Sequence, residues 1–239
     1  MNKTPSILVD TGFEVDQNGA LTEIDVPGVV TTLNAPQKVT FAGTTLNYIP
    51  SDKSVLAELH AVKCVTIPQN LITDYSNLTT LSIPSVTAAV INGDAAKWIS
   101  NCPLLSSLSL DALQSISSSG TSYPTVFNLL PALTTLNLPN VVTIAATAGR
   151  IVANMASLTE AHLPKLQTVT GNAPVFNAIT TLVDVALGSD GHPVTSLTSN
   201  TFSGCTQSGL TITVYTNGGA ALSGEPWGAT NADIEYEEA

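Results

Sequence analysis

Charge is scarce in this chain, and positive charge is the scarcest. Only 10% of the 239 residues are charged, and 7 Lys and Arg stand against 18 Asp and Glu, which gives a formal net charge of −11. Nucleic-acid binding needs clustered Lys and Arg to neutralise phosphates, so we predict no nucleic-acid partner. An acidic chain is also poorly matched to an anionic lipid surface.

Long apolar runs and paired cysteines are missing as well. No stretch is long enough for a signal peptide or a membrane span, so we expect no direct membrane insertion. Either the export signal lies outside this sequence or the protein is not exported by that route. Cys64, Cys102 and Cys205 form no CxxC pair, and we interpret them as small buried apolar groups rather than disulfide partners or metal ligands.

What the chain does have is a repeated leucine pattern. Its clearest copy is Leu133-Thr-Thr-Leu136-Asn-Leu138-Pro139, followed by Val142-Thr-Ile144. Copies of this pattern, 22 to 28 residues apart, start at Leu56, Leu78, Leu105, Leu133, Leu158, Leu182 and Leu210. Self-similarity at such a period is the signature of a leucine-rich solenoid, in which stacked coils bury a shared core.

Each coil has two short segments, here called bursts, in which apolar and polar residues alternate as in a β-strand. A third segment of each coil has a different pattern. In Asp94–Cys102, an aspartate at the N-cap position and apolar residues at i, i+4 spacing favour a short helix. The segments 150–155 and 175–179 have shorter versions of this pattern. The predicted fold class is therefore a β-rich leucine-rich repeat solenoid with short helices or turns on the opposite face.

We expect a single elongated domain in three parts. Residues 1–20 form an N-terminal cap, because Gln17-Asn18-Gly19 between apolar stretches predicts a hairpin turn. Residues 21–209 form the solenoid, with an irregular coil near residues 34–55. Residues 210–239 form a C-terminal strand and cap.

Several motifs resemble one family of leucine-rich repeats. Leu78-Thr-Thr-Leu-Ser-Ile-Pro-Ser-Val is similar to the pattern L-x-x-[IV]-x-[IL]-P-x-x-[VL], with Leu81 at the [IV] position and Val86 one residue early, and Phe202-Ser-Gly-Cys205 follows its aromatic-x-x-Cys ending. Pro226-Trp227-Gly228 looks like a terminal cap. These features resemble the BspA-like subclass over about residues 21–236. The resemblance implies a leucine-rich repeat solenoid of bacterial surface proteins, a family linked to adhesion and partner binding.

The first burst of each coil predicts a surface for binding. Residues that flank its second leucine point away from the core, because side chains alternate across a strand. In order these pairs are Glu23 and Asp25, Glu58 and His60, Thr80 and Ser82, Ser107 and Ser109, Thr135 and Asn137, Glu160 and His162, and Asp184 and Ala186. The predicted partner-binding residues are Thr80, Ser82, Ser107, Ser109, Thr135, Asn137, Glu160 and His162.

Catalytic motifs are sparse, and we predict neither an enzyme nor a cofactor. Asp10-Thr11-Gly12 resembles the active-site turn of aspartic proteases, but that chemistry needs two such aspartates sharing a proton. A protease would therefore require a dimer meeting at this turn, and a strand ending in a turn is the simpler interpretation. The three histidines have no spacing typical of a metal site or a catalytic triad.

Two functions follow from these observations. The first is a non-catalytic module for binding or adhesion that recognises a protein or glycan on a host or neighbouring cell surface through the exposed ladder of strands. In that case the protein is extracellular or on a cell surface. The second is a structural component of a phage particle, such as a fibre or decoration protein, which would place it in the virion. The sequence does not fix the oligomeric state.

Overall fold

The computed structural model describes residues 43–46, 53–54, 56–120 and 123–239 in full, and the backbone strands at 13–15, 21–24 and 37–40. The chain is a parallel β-solenoid of about seven turns, which confirms the predicted β-rich repeat solenoid. Three faces run along the rod, and the regular coils contribute one strand to each of them.

The strands fall into four groups. The ladder face consists of β3 (Gln37–Thr40), β4 (Leu56–His60), β6 (Thr80–Ser82), β9 (Ser107–Ser109), β12 (Thr135–Asn137), β15 (Glu160–Leu163), β18 (Asp184–Leu187), β19 (Leu210–Thr216) and β20 (Ala232–Glu238). The second face consists of β7 (Ala88–Asn92), β10 (Ser115–Ser119), β13 (Thr143–Ala146) and β16 (Thr168–Thr170). The third face consists of β5 (Ile72–Thr73), β8 (Lys97–Ser100), β11 (Thr125–Asn128), β14 (Arg150–Ala153) and β17 (Phe176–Asn177). At the N-terminal end, β1 (Phe13–Val15) pairs antiparallel with β2 (Leu21–Ile24) as a separate two-stranded sheet.

The core is built from apolar residues that stack in register from coil to coil. On the ladder face, Leu59 lies opposite Leu81, and further along Leu136 lies opposite Ala161. All four side chains are 0–1% exposed. No coil could bury these residues alone, so stacking supplies the hydrophobic stabilisation.

The third face is made of strands, so the helix predicted over Asp94–Cys102 is wrong. Lys97–Ser100 is β8, and Trp98 and Ile99 are both buried. The expected helical segments 150–155 and 175–179 contain β14 and β17. A short continuous apolar run suits a strand buried on both sides as well as a buried helix, and periodicity alone does not separate them. Among the described residues, the only helical element is a 3-10 turn at Asn217–Gly219.

The C-terminal end closes with an irregular coil. Trp227 is fully buried, its indole Nε1 donates to the Ser223 carbonyl at 3.0 Å, and its own carbonyl accepts from the Phe202 N–H at 2.8 Å. The Tyr236 hydroxyl donates to Glu225 at 2.7 Å and holds β20 against this coil. Within the described part of the chain, no helix has the length and apolar character needed to span a bilayer.

Candidate functional site

The outward side chains of the ladder face form two stacked columns. The first column contains Glu58, Thr80 and Ser107 and then Thr135, Glu160, Asp184, Thr211 and Asp233. The second contains His60, Ser82 and Ser109 and then Asn137, His162, Ala186, Thr213 and Glu235. All eight predicted binding residues lie on these columns, and none of them is buried. Their role in binding stays a prediction.

The repeat pattern suggested that the ladder face is one continuous sheet, but the structure divides it into two. β3, β4, β6 and β9 form one sheet, the first block, and β12, β15, β18, β19 and β20 form another, the second block. Most Cα–Cα distances between β9 and β12 exceed 8 Å, whereas paired strands lie about 4.8 Å apart. We call the space between these two strands the gap. Thr80, Ser82, Ser107 and Ser109 lie on one side of it, and Thr135, Asn137, Glu160 and His162 on the other.

The N-terminal start of the ladder also differs from expectation. Glu23 lies on β2, which pairs with β1 and not with the ladder strands. The predicted partner of Glu23 on that column, Asp25, lies outside the described residues. The ladder sheet begins instead at β3, which pairs in parallel with β4.

The second block is acidic. Glu160 and Asp184 lie directly opposite each other on neighbouring strands, where like charges repel. His162 Nε2 lies 3.8 Å from a carboxylate oxygen of each, and Thr135 Oγ1 donates to Glu160 at 3.3 Å. The described outward columns from β4 to β20 contain no Lys or Arg. In the first block, His60 Nε2 lies 3.1 Å from Glu58 Oε2. The strands beside the gap carry only Ser, Thr and Asn outward.

Sequence reasoning missed an aromatic residue on this face. Tyr215 lies in β19, which like β20 has seven residues and so adds a third outward position. Its side chain is partly exposed and lies opposite Glu237. Counting only the two residues that flank the second leucine of each repeat excluded this position.

Sequence reasoning also missed an apolar corner between the third face and the ladder face. Leu104 is 49% exposed and Leu129 is 42% exposed, and neither is among the repeat positions that the sequence pattern identified. Leu129 and Pro131 line an open surface pocket of about 350 Å³ together with Met155 and residues of the next coil. Along the chain, Leu104 lies just before β9, and Leu129 and Pro131 lie just before β12, the two strands beside the gap.

The remaining candidates give no catalytic centre. Cys64, Cys102 and Cys205 are free and fully buried, and burial raises the pKa of both Cys102 and Cys205 to about 11. Among the residues that the structure describes, no group of three His, Cys, Asp or Glu side chains could hold a metal ion. Asp10, Thr11 and Gly12 lie outside the described residues, so the protease hypothesis stays a prediction.

Comparison with protein-family models, with curated proteins and with solved structures finds no match for this chain.

Proposed function

We propose that the protein is a non-catalytic binding module of the leucine-rich repeat kind, which contacts a protein or glycan partner through its ladder face. The observation that carries this proposal is the registered stacking of outward, unburied polar residues on this face, in two blocks. An extended repetitive surface of this kind suits recognition of an extended partner. The motif resemblance to BspA-like repeats supports adhesion at a cell surface as its setting.

The electrostatics of the face narrow the class of partner. Its second block carries Glu160, Asp184, Asp233 and Glu235 without a neighbouring Lys or Arg on the described columns. A partner that contacts this block would be neutral or basic, because like charges brought together at an interface cost several kcal/mol. The neutral residues beside the gap impose no such restriction.

The test compares two triple variants that carry the same number of new charges. In the ladder variant, Ser82, Ser109 and Asn137 are each changed to Lys. In the control, Ser117, Thr143 and Thr170, which point outward from the second face, are each changed to Lys. Both are compared with wild type by capture from host surface extracts and on glycan arrays, after circular dichroism has confirmed folding.

We expect the ladder variant to lose a specific partner that the control retains. Equal retention by both variants would move the binding site off the ladder face. Absence of any partner for the wild type would instead favour the structural role in a phage particle, which detection of the chain in purified virions would test directly.

A further inference from the structure

The two strands that border the gap present backbone groups without a strand partner. Consecutive residues of a parallel strand direct their N–H and C=O groups to opposite neighbours. Ser107 N–H donates to the Thr79 carbonyl at 3.0 Å, and the Ser109 carbonyl accepts from Ile83 N–H at 3.0 Å, so both residues face β6. Leu108, which lies between them, therefore directs its N–H and C=O into the gap.

The opposite border follows the same rule. The Thr134 carbonyl accepts from Glu160 N–H at 3.2 Å, and Leu138 N–H donates to the His162 carbonyl at 2.9 Å, so these residues face β15. Thr135 and Asn137 alternate with them and direct their N–H and C=O groups toward β9. Two strand edges thus face each other across the gap.

The gap is wider than the spacing between paired strands. A strand inserted between two others requires about twice the 4.8 Å spacing of a sheet, roughly 9.6 Å. Most Cα–Cα distances between β9 and β12 exceed 8 Å. The same two coils stay paired on the other faces, where β10 pairs with β13 and β8 pairs with β11. The opening is therefore confined to the ladder face and does not separate the coils.

The floor of the gap is apolar and its borders are uncharged. Leu108 is partly exposed, whereas Leu81 and Leu136, its counterparts on either side, are 0–1% exposed. The outward side chains on the borders belong to Ser107, Ser109, Thr135 and Asn137 and are neutral.

We propose that the gap binds one extended, uncharged peptide segment of a protein partner, which adds a strand between β9 and β12 and joins the two blocks into one sheet. This inference rests on the proposed function, that the ladder face binds a partner, and it specifies the partner as protein rather than glycan. Only a polypeptide presents alternating N–H and C=O groups to both edges at once. An apolar side chain of the segment packs on Leu108, and small polar side chains point outward.

The probe for the test is a fluorescent peptide with the sequence of residues 78–84, Leu-Thr-Thr-Leu-Ser-Ile-Pro, which is a ladder strand of this chain. Its control is the same peptide N-methylated at alternate residues, which removes backbone donors and retains the side chains. Binding to the full chain is measured by fluorescence anisotropy. We expect the N-methylated peptide to bind at least about tenfold more weakly, because main-chain hydrogen bonds supply the affinity.

A pair of proline variants tests the position of the site. Asn137→Pro removes an N–H that faces the gap, and the Asn137 side chain is exposed. Ala186→Pro is the matched control in the same column. Asp184 N–H donates to Thr159 and Gly188 N–H donates to Leu163, so the Ala186 N–H between them faces β15 and is paired. Proline removes a ladder hydrogen bond only where the N–H is paired.

We expect Asn137→Pro to leave the melting temperature within about 2 °C of wild type and to weaken peptide binding at least about tenfold. Ala186→Pro should lower the melting temperature by about 4 °C or more. Three results would each overturn the inference: no peptide binding to wild type, equal binding of the N-methylated peptide, or equal destabilisation by the two prolines.

Failure of this inference is separable from failure of the proposed function. If the triple Lys variant of the ladder face loses its partner while no peptide binds, the ladder face binds by its side chains and the gap does not accept a strand. If the peptide binds as expected and Asn137→Pro abolishes it, the gap inference holds.

Discussion

Asn154 lies at a corner of the solenoid where the backbone must turn in a left-handed conformation. Its φ is +54°, and five residues at the equivalent corner of other coils also have positive φ: Asp74, Asn101, Leu129, Ala178 and Gly204. The Asn154 Nδ2 donates to Asn128 Oδ1 at 2.8 Å, and Asn128 Nδ2 donates in turn to Ser100 Oγ at 3.1 Å. Asn128 and Ser100 are buried, so this chain of side-chain hydrogen bonds stabilises the interior of the corner.

Two substitutions of Asn154 separate the backbone contribution from the hydrogen bond. Asn154→Ala replaces a residue that tolerates the left-handed region with one that does not, at about 1–2 kcal/mol, and leaves the buried Asn128 Oδ1 unpaired at about 1–3 kcal/mol. We therefore expect a loss of about 2–5 kcal/mol of folding stability. Asn154→Gly also loses the hydrogen bond but has no left-handed penalty. Glycine has greater freedom in the unfolded chain, which costs about 0.4–1 kcal/mol, so the glycine variant should be more stable than the alanine variant by up to about 1.6 kcal/mol.

Thermal unfolding followed by circular dichroism measures both effects. The melting temperature of a domain of this size shifts by about 2–4 °C per kcal/mol, so Asn154→Ala should lower it by roughly 4–20 °C and Asn154→Gly by less. Ala178→Asn, at the equivalent corner of the next coil, should raise it, because Asn tolerates the left-handed region better than Ala does. The reasoning is refuted if the glycine variant is the less stable of the two Asn154 variants, since the corner would then impose no left-handed penalty.

Three further predictions concern other parts of the rod. Gly149→Ala should lower the free energy of unfolding by about 3 kcal/mol or more, because a Cβ at this position would lie 1.8 Å from a carbonyl oxygen of the preceding coil and φ is +71°. A melting temperature within about 2 °C of wild type would contradict this. Asp74 has a pKa below its ordinary value, chiefly through the hydrogen bond from Asn101, so its stabilising contribution is present above about pH 4 and is lost as the pH falls through the lowered pKa. Asp74→Asn should therefore lower the melting temperature more at pH 7 than at pH 2, and an equal difference at both pH values would count against this explanation. The raised pKa values of Cys102 and Cys205 predict no reaction with a thiol reagent at pH 8 until urea unfolds the chain, and rapid labelling of the native protein would refute their burial.

Alternation of apolar and polar residues in the sequence predicted those strands that have one side facing the core and the other facing solvent. Leu78, Leu81 and Ile83 alternate with Thr and Ser, and β6 lies within this segment with its polar residues outward. The burst Val142-Thr-Ile144 likewise overlaps β13. Alternation arises within a single strand that has one side facing solvent and the other facing the core, so it can be identified without any knowledge of the neighbouring coil.

The third face was mispredicted for the opposite reason. Thr125–Asn128 is buried at all four positions, so its sequence has no alternation and only a short apolar run. What distinguishes it from a helix is the pairing of β11 with strands on both sides, and that pairing depends on how whole coils stack. Long-range pairing of this kind has no signature within a window of ten residues.

The columns of the candidate site were predictable, but the gap was not. Leu105, Leu108 and Leu110 repeat the spacing of Leu133, Leu136 and Leu138, and both segments predict the same ladder strand. Period-2 alternation determines which way each side chain points and says nothing about the distance to the next coil. The partial exposure of Leu108 therefore becomes apparent only in the assembled structure.

A solenoid with three faces can open on one of them at small cost. The coils on either side of the gap remain paired through β8 with β11 and through β10 with β13, so the stack does not depend on the ladder sheet at this point. The unpaired N–H and C=O groups of Leu108, Thr135 and Asn137 border an opening at the surface, where water can satisfy them, so they avoid the penalty of buried unpaired groups. A strand entering the gap would exchange those water contacts for main-chain hydrogen bonds and would bury Leu108 as fully as Leu81. The proposed binding of a strand would therefore leave the pairing of β8 with β11 and of β10 with β13 in place.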